Sequence, residues 1–190
     1  IGDDIGIPVD KILAAIAIII FIFVNVRGSS DTGKVGNAIT FTQLAIIGIL
    51  IAAAIGAMMF ANPNWSDNYT DFLPSGVAGL ALAMGLTFIA FEGYEIISQA
   101  GDEIKNPRRN IPRAILISLG IVVSVYIVFT FVFIGGLNES VIGMPAWKFI
   151  GSFGELGIIE AADQFLPYGA LIVLAGGLVS TLSALNATTF

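Results

Sequence analysis

Residues 38–60 read AITFTQLAIIGILIAAAIGAMMF and contain no charged side chain. The hydrocarbon core of a bilayer is about 30 Å thick, and a helix needs about 20 mostly apolar residues to cross it. An apolar run of this length is typical of a transmembrane helix and rare in a soluble domain. We therefore predict that residues 38–60 span a membrane.

Four further apolar runs flank this stretch, and polar segments separate each run from the next. The pattern predicts an all-α membrane protein in which residues 1–190 form a single transmembrane domain. Its five predicted transmembrane helices are about residues 9–26, 38–60, 76–100, 113–136 and 167–190.

Residues 137–166 are too polar to span a membrane and too apolar to be a simple linker. Within them AWKFIGSFGELGIIEAADQF, residues 146–165, has the pattern of two short amphipathic helices. Long connections in compact proteins usually carry structure of their own. We predict a structured extracellular loop over residues 137–166 that lies on one mouth of the helix bundle.

The composition points to lipid as the solvent of the chain. Apolar residues make up 56% of the chain and charged residues 12%, and the charged share is about half that of a soluble domain. Cysteine and histidine are both absent, which excludes disulfides, Cys/His metal sites and His-dependent triads. We expect the lipid bilayer as a partner, and no cofactor, no metal site and no enzyme activity. The net charge is −6, but no run of like charge exceeds two residues, so nucleic-acid binding is not indicated.

Basic residues are unevenly distributed among the polar segments. Six of the eight lie in or beside residues 27–37 and 101–112. The positive-inside rule assigns such segments to the cytoplasm. We predict a multi-pass protein of the cell membrane with loops 27–37 and 101–112 cytoplasmic, and residues 61–75 and 137–166 on the opposite face.

The second basic segment contains two residue-proline pairs, Asn106-Pro107 and Ile111-Pro112. A residue that precedes proline is disfavoured in the α region. We therefore expect the next helix to begin only after Pro112.

The third apolar run carries two carboxylates, Glu92 and Glu95. A carboxylate at the centre of a membrane helix costs about 2.5–3.5 kcal/mol on insertion scales, so each must face a cavity, a partner or the interface. The two share a helix face if the helix is continuous. Gly93 lies between them, and a break there would free backbone carbonyls to hold a cation or an ammonium group. Alternatively, both acids simply approach the cytoplasmic interface; the residues alone leave both interpretations open.

Two stretches around these acids resemble a known superfamily. FIAFEGYE, residues 88–95, and DEIKNPRRNIPRAI, residues 102–115, resemble the sixth helix and following cytoplasmic loop of the amino acid-polyamine-organocation (APC) superfamily. VRGSSDTGKVGNAIT, residues 26–40, is similar to that family's connection between its fourth and fifth helices. The resemblance implies that the five spans correspond to the fourth to eighth helices of an inverted-repeat transporter fold, in which the third span here, the family's sixth helix, is broken.

The resemblance also implies a substrate site. In this family the substrate lies near the bilayer midplane between unwound stretches of the first and sixth helices. Here the unwound stretch would be residues 88–93, whose carbonyls would receive an amino group, and Glu95 would have a gating or proton-linked role. Ile89 takes a position that often holds a bulky gating side chain. The remaining helices of the parent chain would supply the rest of the site. The implied substrate-binding residues are Phe88, Ile89, Ala90, Phe91, Glu92 and Gly93.

Two other spans carry candidate neighbours of a coupling site for H⁺ or Na⁺. Gln43 takes a position where the family often has a lysine, which some proton-coupled members use in place of a sodium ion. In the last span Gly176, Ser180 and Ser183 share a helix face, and Thr181 lies beside it. The resemblance at Gln43 and the hydroxyl residues of the last span make Gln43, Ser180 and Thr181 the candidates. Small and hydroxyl residues at this spacing are alternatively packing contacts.

Together these observations predict secondary active transport of amino acids or related amines, with the amino acid or amine as substrate. A non-transporting membrane subunit, or a receptor or sensor built on the same fold, is the alternative. Substrate-dependent uptake would separate the two.

Overall fold

The computed structural model describes residues 16, 19, 29–89, 91 and 104–189. Most of these residues are helical and none of them lies in a β-strand, so the protein is all-α. Of the first predicted span, only Ile16 and Ile19 are described, and both are helical. The α-helices of the described part are, in chain order, α1 (Ser29–Gly56), α2 (Gly76–Ile89), α3 (Pro107–Gly136), α4 (Glu139–Ile142), α5 (Ala146–Ser152), α6 (Gly157–Phe165) and α7 (Gly169–Thr189).

Helix α1 begins at Ser29, whereas the predicted span begins at residue 38. The segment expected as a loop up to residue 37 is therefore largely helical. Hydropathy marks only the apolar part of a helix, and polar residues can extend it beyond the hydrocarbon core.

Helix α3 begins at Pro107, so the expectation that it starts after Pro112 is wrong. Asn106 leaves the right-handed α region, with φ 52° and ψ 58°, and Pro107 follows as a first helical residue; proline suits this position because the N–H it lacks has no helical partner there. Pro112 lies inside the helix. Arg108, whose carbonyl would accept the bond that Pro112 cannot donate, is exposed, so solvent can satisfy that oxygen.

Among the residues that the structure describes, two helical stretches are long and apolar enough to cross a membrane, Gly36–Ala61 and Pro107–Gly136. Few of their residues are buried within the described part of the chain, so their apolar sides are available to lipid or to other helices. Gly76–Phe88 and Gly169–Leu185 are shorter apolar helical stretches. These are the features of a membrane protein.

The chain divides into two compact units. The first comprises Ile1–Ile49 and Leu171–Phe190, and the second comprises Leu50–Ala170. The core of the second unit is built from aliphatic and aromatic side chains at and after the end of α1, in the C-terminal part of α3 and in the short helices after it. Its buried apolar residues are Leu50, Ala54, Ala57, Val132, Phe133, Leu137, Ala146, Phe149, Ala161 and Ala162.

Acidic side chains bind the starts of two helices in the second unit. The Glu139 carboxylate accepts a 2.8 Å hydrogen bond from the N–H of Ala146, the first residue of α5. The Asp163 carboxylate accepts one of 3.3 Å from the N–H of Ala170, in the first turn of α7. These bonds satisfy N–H groups that have no partner within their own helix. The two short helices expected within residues 146–165 lie at Ala146–Ser152 and Gly157–Phe165.

Candidate functional site

Helix α2 ends at Ile89, inside the stretch predicted to be unwound. The N–H of Phe91 donates a 3.1 Å hydrogen bond to the carbonyl of Phe88, which closes a turn after the helix. Phe88 has 72% of its surface exposed. Four of the predicted residues, Ala90, Glu92, Gly93 and Glu95, lie outside the described residues, so the extent of the break and the glutamate roles stay predictions.

The ring of Phe91 contacts Tyr126 of α3. The two rings meet edge to face, with centroids 5.5 Å apart and an interplanar angle of 74°. This geometry is favourable for aromatic pairs, by about 0.5–1.5 kcal/mol beyond the area buried. The contact fixes the orientation of Phe91 next to the end of α2. Sequence reasoning missed Tyr126, although a tyrosine inside an apolar run is a signal that its hydroxyl needs a partner.

Gln43 and Ser180, two of the three coupling-site candidates, are in contact in the first unit. The Gln43 Nε2 atom donates a 3.3 Å hydrogen bond to the Ser180 Oγ atom across 137 residues of sequence. One step along the same interface, a Cβ at Gly176 would lie 3.0 Å from the Ile46 Cγ2 atom. From the first contact to the second, the residue number increases on α1 and decreases on α7, so the two helices are antiparallel here. Because Gly176 has no side chain, the helices can approach each other closely.

Thr181, the third candidate, is engaged differently. Its hydroxyl donates a 2.9 Å hydrogen bond to the carbonyl of Gly177 in the preceding turn of its own helix. The structure therefore brings together Gln43 and Ser180, while the Thr181 hydroxyl is bound locally.

Asparagine side chains hold the C-terminal end of α3 in the second unit, a feature the sequence analysis missed. Asn62 donates through Nδ2 to the carbonyls of Gly135 and Leu137, both at 2.9 Å. Asn68 donates through Nδ2 to Ile134 at 2.6 Å and Leu137 at 2.8 Å. The last carbonyls of a helix have no partner within it. We call Asn62 and Asn68 the asparagine clamp.

Aromatic packing supports the clamp. The Tyr69 hydroxyl donates to the carbonyl of Phe131, and the two rings stack with centroids 4.9 Å apart. Trp65 meets the Phe131 ring edge to face at 6.0 Å. Burial raises the pKa of Tyr69, and a backbone hydrogen bond with Gly135 opposes that rise in part. The segment after α1 is thereby fixed against α3.

Metal ligands do not cluster in the part of the chain that the structure describes. No group of three or more acidic side chains among residues 29–89 and 104–189 is arranged to hold a metal ion.

The chain is similar to transport proteins over most of its length. A protein of Methanocaldococcus jannaschii with no assigned function is 33% identical over 172 residues, 90% of this chain and 36% of that protein. The methylthioribose transporter of Bacillus subtilis is 30% identical over 182 residues, 93% of this chain and 37% of the transporter. Cationic amino acid transporter 4 of Homo sapiens is 35% identical over 88 residues, 46% of this chain and 14% of that protein.

The chain thus spans a little over a third of the length of the first two relatives. No solved structure matches it significantly. The family model described as amino acid permease, by contrast, matches residues 6–190. Since this match takes in all the described helices, the chain belongs to the amino acid permease family of the APC superfamily.

Proposed function

We propose that the chain is part of a secondary active transporter that carries amino acids or related amines across the cell membrane. The observation that carries the proposal is the end of α2 at Ile89, within an apolar run that continues in the sequence. A helix that stops inside a membrane span leaves backbone carbonyls without helical partners, and these are suited to an ammonium group. Membership of the permease family supports the same function.

Residues 88–93 form the proposed substrate-binding segment. Carbonyls at the C-terminal end of a helix in general lack partners further along it, and they carry the negative end of the helix dipole, which attracts cations. The Phe88 carbonyl already accepts a hydrogen bond from the Phe91 N–H, so we expect other carbonyls of this segment to receive the substrate. The Phe91 ring, held by Tyr126, would border the substrate side chain.

Gln43 and Ser180 are proposed to lie beside the coupling site for H⁺ or Na⁺, with Thr181 as a further neighbour. Gln43 has no titratable group, so a proton that drives transport would have to bind elsewhere. Glu95 is the proposed proton-linked or gating group.

The membrane orientation is part of the proposal. Loops 27–37 and 101–112 would face the cytoplasm in a multi-pass protein of the cell membrane, because they hold or adjoin six of the eight basic residues.

Uptake by the full-length protein in proteoliposomes tests the function. Amino acids, their decarboxylated amines and methylthioribose, the compound named for the Bacillus subtilis relative, would each be offered as labelled substrates with and without H⁺ and Na⁺ gradients. We expect gradient-dependent accumulation of an amino acid or amine. Phe91→Ala should reduce uptake, whereas Leu116→Ala, at a 69% exposed position of α3, should leave it unchanged.

Two results would favour other functions. Saturable binding of an amino acid without uptake under any gradient would favour a receptor or non-transporting subunit. Accumulation of methylthioribose alone would reject amino acids and amines as the substrate class.

Glu95→Gln tests the proton-linked role. The change keeps the shape and most hydrogen-bonding capacity of the side chain and removes its charge. Uptake should lose its dependence on pH or fail. Normal uptake at every pH would leave Glu95 with at most a positional role.

A further inference from the structure

A cavity of about 620 Å³ lies in the second unit, outside residues 88–93. Three elements form it: the segment that follows α1, the C-terminal half of α3, and the start of α5. Its wall is mostly aromatic and aliphatic. Residues that define it are Asn68, Asp71, Phe72, Tyr126, Phe131 and Trp147.

Part of the cavity wall is held in place by the contacts described above. Asn68 is bonded to two carbonyls at the end of α3, and Tyr69 both stacks on Phe131 and donates to its carbonyl. Trp65 packs against the same ring. This part of the wall is formed before any ligand arrives, which lowers the entropic cost of binding.

Two polar side chains of the wall are already engaged. The Asn68 Nδ2 group and the Tyr69 hydroxyl both bind carbonyls of α3. Asp71 is the single charged residue among those that line the cavity. Its carboxylate has no hydrogen bond or ion pair with any residue that the structure describes. The cavity therefore combines one available negative charge with an apolar, aromatic wall.

We propose that this cavity binds a small organic ammonium ion with an apolar body. The ammonium group pairs with the Asp71 carboxylate, and the aromatic rings of Phe72 and Trp147 offer faces that attract cations. The volume lies within the range of about 300–1,000 Å³ typical of small-molecule sites. An anion would be repelled by Asp71. An amino acid zwitterion is disfavoured because its carboxylate finds no charged donor among the lining residues.

Binding of 2-phenylethylammonium to the full-length protein in lipid nanodiscs tests the proposal, by isothermal titration calorimetry and without any ion gradient. The neutral probe 2-phenylethanol has nearly the same size and lacks the charge. We expect the ammonium ion to bind roughly fivefold more tightly, since a solvent-accessible ion pair contributes up to about 1 kcal/mol. Transport need not occur for this result, so its failure is distinguishable from failure of the proposed function.

Variants locate the binding. Asp71→Asn should weaken binding of the ammonium ion roughly fivefold, to the level of the alcohol, and leave the alcohol unchanged. Trp147→Ala should weaken both probes. Asp67→Asn, at an exposed acid of the same segment that does not line the cavity, should change neither.

Two outcomes would overturn the proposal. If the alcohol binds as tightly as the ammonium ion, the cavity does not recognise charge. If the ammonium ion binds to the Asp71→Asn and Trp147→Ala variants as tightly as to the wild type, it binds at another site. An unchanged unfolding midpoint of Asp71→Asn would show that loss of binding is not loss of folding; because the carboxylate has no partner in the described chain, we expect that midpoint to be unchanged.

Discussion

The side-chain amide of Asn62 donates a 2.9 Å hydrogen bond to the backbone carbonyl of Leu137, which lies 75 residues further along the sequence. The same nitrogen binds the Gly135 carbonyl, and only 2% of the Asn62 surface is exposed. One buried side chain thus satisfies two carbonyls at a helix end, and the segment after α1 is tied to the end of α3.

Asn62→Ala should therefore destabilise the second unit. The buried Gly135 carbonyl would lose its side-chain donor, whereas the Leu137 carbonyl would keep the bond from Asn68. With one group left unsatisfied, we expect a loss of about 1–3 kcal/mol in the free energy of unfolding. Denaturant unfolding in detergent micelles measures it. Asn64→Ala is the matched control, because Asn64 is exposed and makes no capping bond. Equal stability of the two variants would contradict the clamp.

The phenol of Tyr69 should make the stability of the protein depend on pH in the alkaline range. Burial raises its pKa above the usual value of 10.0, against the smaller opposing effect of the Gly135 backbone. The fold therefore favours the neutral phenol. The contribution of Tyr69 to the free energy of unfolding is complete below about pH 10 and is lost as the pH rises through the pKa of the folded state. The thermal unfolding midpoint of the wild type should fall more steeply above about pH 10 than that of Tyr69→Phe, which has no phenol to ionise. Parallel pH profiles would reject this role.

The apolar runs predicted the positions of helices better than their ends. The run at residues 113–136 and helix α3 both end at Gly136, but α3 begins at Pro107 because a proline at the first helical position costs no hydrogen bond. α1 likewise extends to Ser29 through polar residues that hydropathy does not count.

Contacts between distant residues were beyond sequence reasoning. The Asn and Asp content of residues 61–75 indicates a loop, but composition does not say which carbonyl an asparagine amide will meet. Gln43 and Ser180 were each selected from separate features of their own spans. Their hydrogen bond depends on the pairing of α1 with α7, which no local pattern encodes.

Gly157 should tolerate no side chain. A Cβ there would collide with the carbonyl oxygen of Ile150 and lie 2.9 Å from its Cγ2 atom, so α6 would have to shift away from α5. We expect Gly157→Ala to lower stability by about 1–3 kcal/mol. Gly151→Ala is the control, since a Cβ there has nothing within 4 Å and alanine favours the helix. The prediction would be wrong if Gly151→Ala lost stability and Gly157→Ala did not.

Cysteine labelling in intact cells tests the membrane orientation. The chain has no cysteine, and any elsewhere in the full-length protein would first be replaced. Ser66 and Asn110 are both exposed. A membrane-impermeant maleimide should label Ser66→Cys and not Asn110→Cys, which should react only after permeabilisation. Asn68 is unsuitable because it belongs to the clamp. The reverse labelling pattern would refute the proposed orientation.

The contact between Gln43 and Ser180 yields a test of ion coupling. Gln43→Lys introduces a titratable group opposite the Ser180 hydroxyl, at a position that now carries an uncharged amide. If this contact borders the coupling site, the charge state of the lysine must alter occupancy by the coupling ion, so the pH profile of uptake should change or uptake should fail. Gln43→Met, which keeps the length of the side chain but neither titrates nor donates, separates the effect of charge from the loss of the hydrogen bond. We expect Gln43→Met to retain the wild-type pH profile at a lower rate, because the α1–α7 contact is weakened. If the lysine variant also keeps that profile, the contact serves packing alone, and the coupling site must be sought in other helices.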